Sequence, residues 1–460
     1  MSPRALARFA GALPALALWY ALPALAQSPA PSPTSPAGPA GIVPSDVTVE
    51  LGGTVSPAFA LARIETVIGR AAQLQPGATL AIDGVTITHD LHAGDSLEAL
   101  ANVTIGGGGA FADAAGATAV HLRVDTLAQL EPAFLFYSDD PETLHADGDG
   151  VLYKNRIDAS RPARVYAYHV SETPGRRLFL ALRATNAPAQ VQVLGYAAGP
   201  ADSYAYVGHV STLQYLLERA TQESIVVPIV PGTPYLQQIG FRTLAPGELV
   251  AAIFDLRVLG GGPVEVAVVA VSASDDPAAH LDDDEHAGDG HGRRGEFALQ
   301  GVPPLALTYA AGDPDPEPFS IGNAPIPNLR PGGRPLGGDY GALRAVSLQL
   351  SNPGATPQDV YFYERVVGGT ATTTIWFTGD PQPTEMPCMR PGPNRYLVKA
   401  FTLGANETRA VTGEYMTDGS SSFPLDFGLT SVPPSPPPDP YSPDTCNPRP
   451  QPSPAPSPPP

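Results

Sequence analysis

Cysteine is nearly absent. Cys388 and Cys446 are the only two in 460 residues, which excludes a disulfide framework and leaves room for one bridge at most. An oxidising compartment lets the two pair where geometry permits, and that bridge would pin the chain's Pro-rich tail to its last globular module; the alternative is two unpaired thiols. Tryptophan is as scarce, with two residues, of which Trp19 lies in an apolar leader and Trp376 remains. Trp is the most effective platform for a sugar ring, so a Trp-built glycan site is excluded. Tyr166, Tyr168, Tyr204 and Tyr206 are the available substitutes, yet their alternate spacing places each pair on one strand face, where core or sheet-surface packing accounts for them. Positive charge is also short. The chain carries 26 Lys and Arg against 45 Asp and Glu, a formal net charge of -19. Such a surface repels phosphate backbones and excludes nucleic acid as a partner.

Long apolar runs are missing beyond the first residues. Arg4 and Arg8 precede an apolar stretch that ends at Ala24-Leu-Ala26, the pattern of a signal peptide cleaved before Gln27. Pro14 and Pro23 interrupt a span already short for a bilayer. No Cys follows the cleavage site, so lipid attachment is not indicated. Val264 to Val271 is apolar only over strand length, so no transmembrane segment is expected after cleavage. The expected location is secreted, periplasmic or cell-surface.

What is abundant is proline and glycine, 55 and 47 residues. That composition fits a turn-rich β protein with extended ends and disfavours long helices. Residues 27–45 and 432–460 read as Pro-rich spacers. Between them the chain echoes itself. Leu178 to Asn186 has the layout of Val346 to Asn352, and Gly240 to Glu248 is matched by Ala400 to Glu407, a strand, a tight turn and a strand start in both. The expected fold is all-β, with two tandem β-sandwich domains of Ig-like or jelly-roll-like type, a small β-rich N-terminal region and one short helix from about Ser211 to Thr221. The expected divisions are signal peptide 1–26, linker 27–45, N-terminal region 46–130, first sandwich 131–273, acidic loop 274–296, second sandwich 297–431 and tail 432–460.

No catalytic signature stands out. The densest group of candidate ligands is Asp282, Asp283, Asp284, Glu285, His286 and His291, with Asp275, Asp276 and His280 upstream. Carboxylates suit calcium and imidazoles suit zinc or copper, so a divalent cation is the cofactor this loop would take. The spacing matches no defined site, and a solvated acidic loop without hydrophobic anchors is the competing expectation. His145, Asp147, Asp149, Gly150 and Arg156 imitate a calcium loop but fail at its first and last ligand positions. Gly94-Asp-Ser96-Leu97 spells an esterase nucleophile block, and Asp283 and His286 supply an Asp-x-x-His pair. That chemistry needs Ser96 at the end of a parallel strand in an α/β sandwich, whose alternating helices are missing. A Gly-Asp turn followed by a short helical turn is expected there instead. The isolated His121, His169 and His209 are expected to be packed or turn-stabilising histidines.

The order of Asp140-Pro-Glu142, Gly150-Val-Leu-Tyr153, His169, Asn186, Gly338-Asp-Tyr-Gly341, Asn352-Pro-Gly354 and Ser420-Ser-Ser-Phe-Pro424 resembles an uncharacterised family of secreted bacterial all-β proteins, of cyanobacterial type, over residues 130–430. The resemblance implies export and layout and names no substrate. The expected function is therefore an exported non-enzymatic β-sandwich protein, a structural or adhesive module facing a cell-surface or matrix component. The two alternatives are a divalent-cation-dependent binder and a secreted hydrolase whose site lies between domains.

Overall fold

The computed structural model describes residues 38–72, 74–75, 78–146, 148–290 and 293–439. The signal peptide, most of both Pro-rich spacers, Asp147, His291 and Cys446 lie outside the described residues. The fold is all-β, with two β-sandwiches.

The N-terminal region comprises β1 (Asp46–Gly52), helix α1 (Pro57–Ala71), β2 (Thr79–Asp83), β3 (Ser96–Gly106) and β4 (Ala114–Asp125). The first sandwich follows with β5 (Phe134–Ser138), β6 (Thr143–Leu144), β7 (Gly150–Ile157), β8 (Ala163–Ser171), β9 (Arg176–Ala184) and β10 (Ala189–Ala201). It continues with helix α2 (Tyr204–Thr221), β11 (Ser224–Ile229), β12 (Tyr235–Leu244), β13 (Glu248–Gly261), β14 (Val264–Ser272) and β15 (Arg294–Ala298). The second sandwich holds β16 (Leu305–Ala310), β17 (Phe319–Ile321), β18 (Leu343–Ser351), β19 (Gln358–Val366) and β20 (Ala371–Phe377). Its last strands are β21 (Thr384–Met389), β22 (Tyr396–Leu403), β23 (Thr408–Thr417) and β24 (Leu425–Thr430).

The N-terminal region is not a separate unit. β1 pairs with β11, so the sheet order β15-β5-β8-β13-β10-β11-β1-β4-β3-β2 runs unbroken from the first sandwich into it. Helix α1, which the sequence reading missed, covers this extension. Ser56 Oγ accepts a hydrogen bond from the Phe59 amide at 3.3 Å, Pro57 opens the helix, and Ala60, Ile64 and Ile68 repeat at i, i+4 to bury one face against Val49, Leu51, Val103 and Leu122. At the other end β15, expected to straddle the boundary at residue 297 between the acidic loop and the second sandwich, instead pairs with β5 and closes the first module's large sheet.

Both sandwiches repeat one topology. β5 lies parallel to β8 as β16 lies parallel to β18; β8-β13-β10-β11 corresponds to β18-β23-β20-β21; and β12-β9-β14-β7 corresponds to β22-β19-β24-β17. The echo between residues 240–248 and 400–407 therefore joins equivalent strands, β12 to β13 and β22 to β23. The other echo is out of phase, because the segment from Leu178 is β9 while the segment at Val346 is β18, whose true counterpart is β8.

Alternation decides which side chains meet. Along β13, Val250, Ala252, Phe254, Leu256 and Val258 fill the first sandwich, while Leu249, Ala251 and Ile253 point to the opposite face. That opposite face is buried too. Helix α2 and the second module's Met416, Leu336 and Trp376 cover it, which is why β8 and β13 read as near-continuous apolar runs. In the second core Phe362 stacks on Phe427 and meets Phe377 edge-on, with ring centroids 5.8 and 6.1 Å apart.

Candidate functional site at the module junction

The structure scatters the residues of the acidic loop. Asp282 accepts from Arg183 of β9 at 2.7 Å, which draws its carboxyl below the usual range. Asp283 and Asp275 flank His280 at 2.8 and 3.1 Å, and those two bonds raise the imidazole pKa. Asp284 is exposed. Glu285 receives two bonds from Arg330 and one from the Lys154 amide, and His286 Nε2 donates to the Asp149 carbonyl at 2.8 Å. His291 lies outside the described residues. Among the described residues no three His, Cys, Asp or Glu side chains gather in a way that could hold a metal ion. The expectation of a loop without hydrophobic anchors is also corrected. Leu281 is buried against Val151, Phe179, Val269 and Val271, so the loop is a strap fixed across the small sheet's outer face.

The calcium-like segment fares similarly. Asp147 lies outside the described residues, Asp149 pairs with Arg176, His145 bonds Glu172 at 2.7 Å, and Gly150 to Arg156 form a strand. Ser96 begins β3, an antiparallel strand between β2 and β4, rather than a strand-to-helix turn. His286, its supposed base, is bonded instead to the Asp149 carbonyl at the start of β7.

Ionisable side chains do converge where the two sandwiches meet. Arg164 on β8 is 1% exposed and forms a two-pronged pair with Asp255 on β13, at 2.7 and 3.1 Å. Arg164 also donates to Tyr215 of α2 and, at 2.8 Å, to the Gly341 carbonyl, while the Tyr215 hydroxyl donates to Asp255 at 2.7 Å. One turn further along α2, Arg219 bonds Glu131 and reaches Glu414 on β23 at 3.2 Å. Nearer its start, His209 sits buried between Asp418 and, at 2.8 Å, Glu385, both from the second module. Helix α2 approaches so closely that a Cβ at Gly208 would stand 2.3 Å from the Gly419 carbonyl oxygen. The helix is thus clamped between the modules by charge-assisted hydrogen bonds and by backbone contact.

A polar cavity of about 140 Å³ opens at this junction. Tyr137, Asp139, Glu142, Tyr166 and Tyr168 come from the first module, and Tyr340, Gly419 and Ser420 from the second. Tyr137 and Tyr166 are stacked with centroids 5.0 Å apart, Tyr168 bonds Ser420, and Tyr340 donates to the Ser421 carbonyl. Among the described residues, two buried polar atoms of this cavity have no hydrogen-bond partner, Asp139 Oδ1 and the Tyr166 hydroxyl. Burial raises the Asp139 pKa well above the usual carboxylate range, Glu142 adds to the rise, and Arg293 opposes it. Burial likewise raises the Tyr166 phenol. Ser420 adopts φ 68°, a left-handed conformation that costs a non-glycine residue about 1 kcal/mol and sets its hydroxyl beside Tyr168. Arg293 borders both this cavity and a second one of about 350 Å³, where Arg294, Arg330 and Arg334 also stand.

No protein-family model matches the chain, and no curated protein matches it. Solved structures give low similarity. A tripeptidyl peptidase 2 aligns at 9% identity and TM-score 0.16 over 78% of this chain and 29% of that one, so the chain spans less than a third of that protein. Lac15 from a marine microbial metagenome aligns at 12% identity and TM-score 0.13, covering 79% and 81% of the two chains. The tandem CBM22 domains of Paenibacillus barcinonensis Xyn10C align at 7% identity and TM-score 0.13, covering 78% and 92%. Scores this low carry no argument about function.

Chemically, the junction cavity can hold a small polar group and exchange hydrogen bonds with it. Unpaired buried polar atoms cost free energy until something bonds them, so Asp139 and Tyr166 favour an occupant that brings donors and acceptors. The sequence offered part of this. Asp140-Pro-Glu142, Gly338-Asp-Tyr-Gly341 and Ser420-Ser-Ser-Phe-Pro424, singled out only as landmarks, all border the junction. Tyr166 and Tyr168 do share a strand face, whereas Tyr204 and Tyr206 lie in the first turn of α2. His169 is buried, donates through Nδ1 to the Pro141 carbonyl at 2.8 Å and accepts from Ser138; burial pushes its pKa down to about 4. It packs the segment leading to Glu142 in its neutral form.

Proposed function

We propose that the chain is an exported, non-catalytic protein that acts at the cell envelope or extracellular surface as a structural or adhesive module. It holds a surface or matrix component in the cleft between its two sandwiches. The observation that carries this is the junction cavity, lined from both modules and containing the unpartnered Asp139 and Tyr166 atoms. Export is supported by the leader pattern at Arg4, Arg8 and Ala24-Leu-Ala26. The disulfide-bonded state of Cys388 also suits an oxidising compartment. Co-sedimentation of the purified full chain with envelope preparations tests the role. Wild type should pellet with envelopes and Tyr166→Phe should pellet less; retention of neither, with both proteins folded, contradicts it.

A second reading, a hydrolase with its site between the modules, has one observation behind it: Asp139 is a buried carboxyl whose pKa is raised, the state a general acid requires. Turnover of ester or glycoside substrates that disappears in Asp139→Asn would favour it, and unchanged background rates would remove it.

A further inference from the structure

The junction cavity and its arginine-lined neighbour differ in chemistry and share one wall. In the first, Tyr137, Tyr168 and Tyr340 stand with Asp139 and Tyr166, whose buried Oδ1 and hydroxyl have no hydrogen-bond partner among the described residues. An apolar occupant would leave those atoms unpaired, and an inorganic anion would face the Asp139 carboxyl. A polyhydroxylated ring answers both, because its hydroxyls can donate to Asp139 and accept from Tyr166 while its C–H face lies on a tyrosine ring.

The adjoining cavity brings Arg293, Arg294, Arg330 and Arg334 together around the short Pro331-Gly332-Gly333 turn. Among the described residues, the carboxylates that line it with them are Asp140 and Glu285. Glu285 is shared between Arg330, which bonds it twice, and Arg294 at 3.7 Å, and Asp140 accepts the Asp289 amide at 2.8 Å. Arg334 donates to the Gly290 carbonyl, which neutralises nothing. With Arg293 facing Asp139 and Glu142 across the shared wall, Arg334 is the guanidinium without a carboxylate among the described residues, on a chain whose net charge is -19. A polyanion would be repelled elsewhere and held here, and guanidinium groups match carboxylate and sulfate oxygens in pairs.

Resting on the binding role above, we propose that the cleft between the modules binds a short segment of anionic polysaccharide. One sugar ring sits among Tyr137, Tyr166, Tyr168 and Tyr340 against Asp139, and a carboxylate or sulfate on the next unit meets Arg293 and Arg334. Calorimetry on the full chain tests this with four probes: oligouronate, sulfated dextran, neutral dextran and inorganic sulfate. Oligouronate or sulfated dextran should bind, and which of the two binds more tightly identifies the acidic group. Tyr166→Phe and Asp139→Asn should each weaken that binding about tenfold. Arg293→Ala with Arg334→Ala should remove most of its salt dependence. Equal binding of neutral dextran, or inorganic sulfate matching the polymers, overturns the proposal. Lack of binding by a folded protein that still pellets with envelopes through Tyr166 overturns the ligand class alone; loss of envelope retention as well overturns the role beneath it. Melting curves of every variant separate loss of the site from loss of the fold.

Discussion

Asp255 is the residue whose removal exposes the junction's energetics most sharply. It is fully buried, it takes both prongs of Arg164, and it accepts the Tyr215 hydroxyl, so Asp255→Ala strands a guanidinium that is 1% exposed. Breaking a buried pair by removing one partner costs about 3–5 kcal/mol, because the remaining charge stays desolvated. For a module of this size that corresponds to a fall of roughly 6–20 °C in melting temperature. The double variant Arg164→Met with Asp255→Leu removes both charges. It should lose less than the single variant, because the groups it leaves unpaired, the Gly341 carbonyl and the Tyr215 hydroxyl, are neutral and no buried charge is stranded. Differential scanning calorimetry of wild type, single and double variants measures both quantities. A single variant within about 1 kcal/mol of wild type, or a double variant as unstable as the single, would refute the assignment of Arg164 and Asp255 as a desolvated pair.

Three further outcomes follow from other parts of the molecule. Glu364 is fully buried, accepts a hydrogen bond from Thr373, and burial lifts its pKa to about 8 from an ordinary 4.5. Between those values the folded chain keeps a proton that the unfolded chain releases, so stability falls as pH rises, by about 1.4 kcal/mol per unit. Glu364→Gln should match wild type near pH 5 and exceed it by about 4 kcal/mol at pH 8 in urea titrations; parallel pH profiles contradict this. Gly208→Ala places a Cβ against the Gly419 backbone and should separate the modules, detected as faster amide exchange along α2 with both sandwich cores still protected. Because Asp282, Asp283, Glu285 and His286 are engaged by separate partners, calcium, zinc or copper at millimolar concentration should leave the melting temperature unchanged. A metal-dependent rise of several degrees restores the cation-dependent alternative.

Strand existence was legible because β runs such as Val264–Ser272 and Leu343–Ser351 combine β-branched or alternating residues with Gly and Pro boundaries. Helix α1 was missed although Ser56, Pro57 and the Ala60-Ile64-Ile68 spacing announced it, since Pro and Gly elsewhere argued against helices. Strands β16, β17 and β21 carry too few apolar residues, or too much proline nearby, to stand out from loops. The out-of-phase echo between β9 and β18 shows how similar short strands become once packing imposes the same alternation on each. The junction was hidden for another reason. Its residues come from positions between 137 and 420, and a sequence does not show that Tyr166 and Ser420 share a wall. The acidic loop misled in the opposite direction, because its charges are adjacent in sequence but are drawn apart by Arg183, Arg330 and the anchor Leu281.

Docking through α2 makes the two sandwiches one body with a cleft of fixed shape. Electron–electron distance measurements between spin labels, introduced as non-natural amino acids at the exposed Val230 and Val367, test this most directly and leave the cysteines untouched. A single narrow distance distribution, broadened by Gly208→Ala, is the predicted result; a broad or bimodal distribution in the wild-type protein contradicts it.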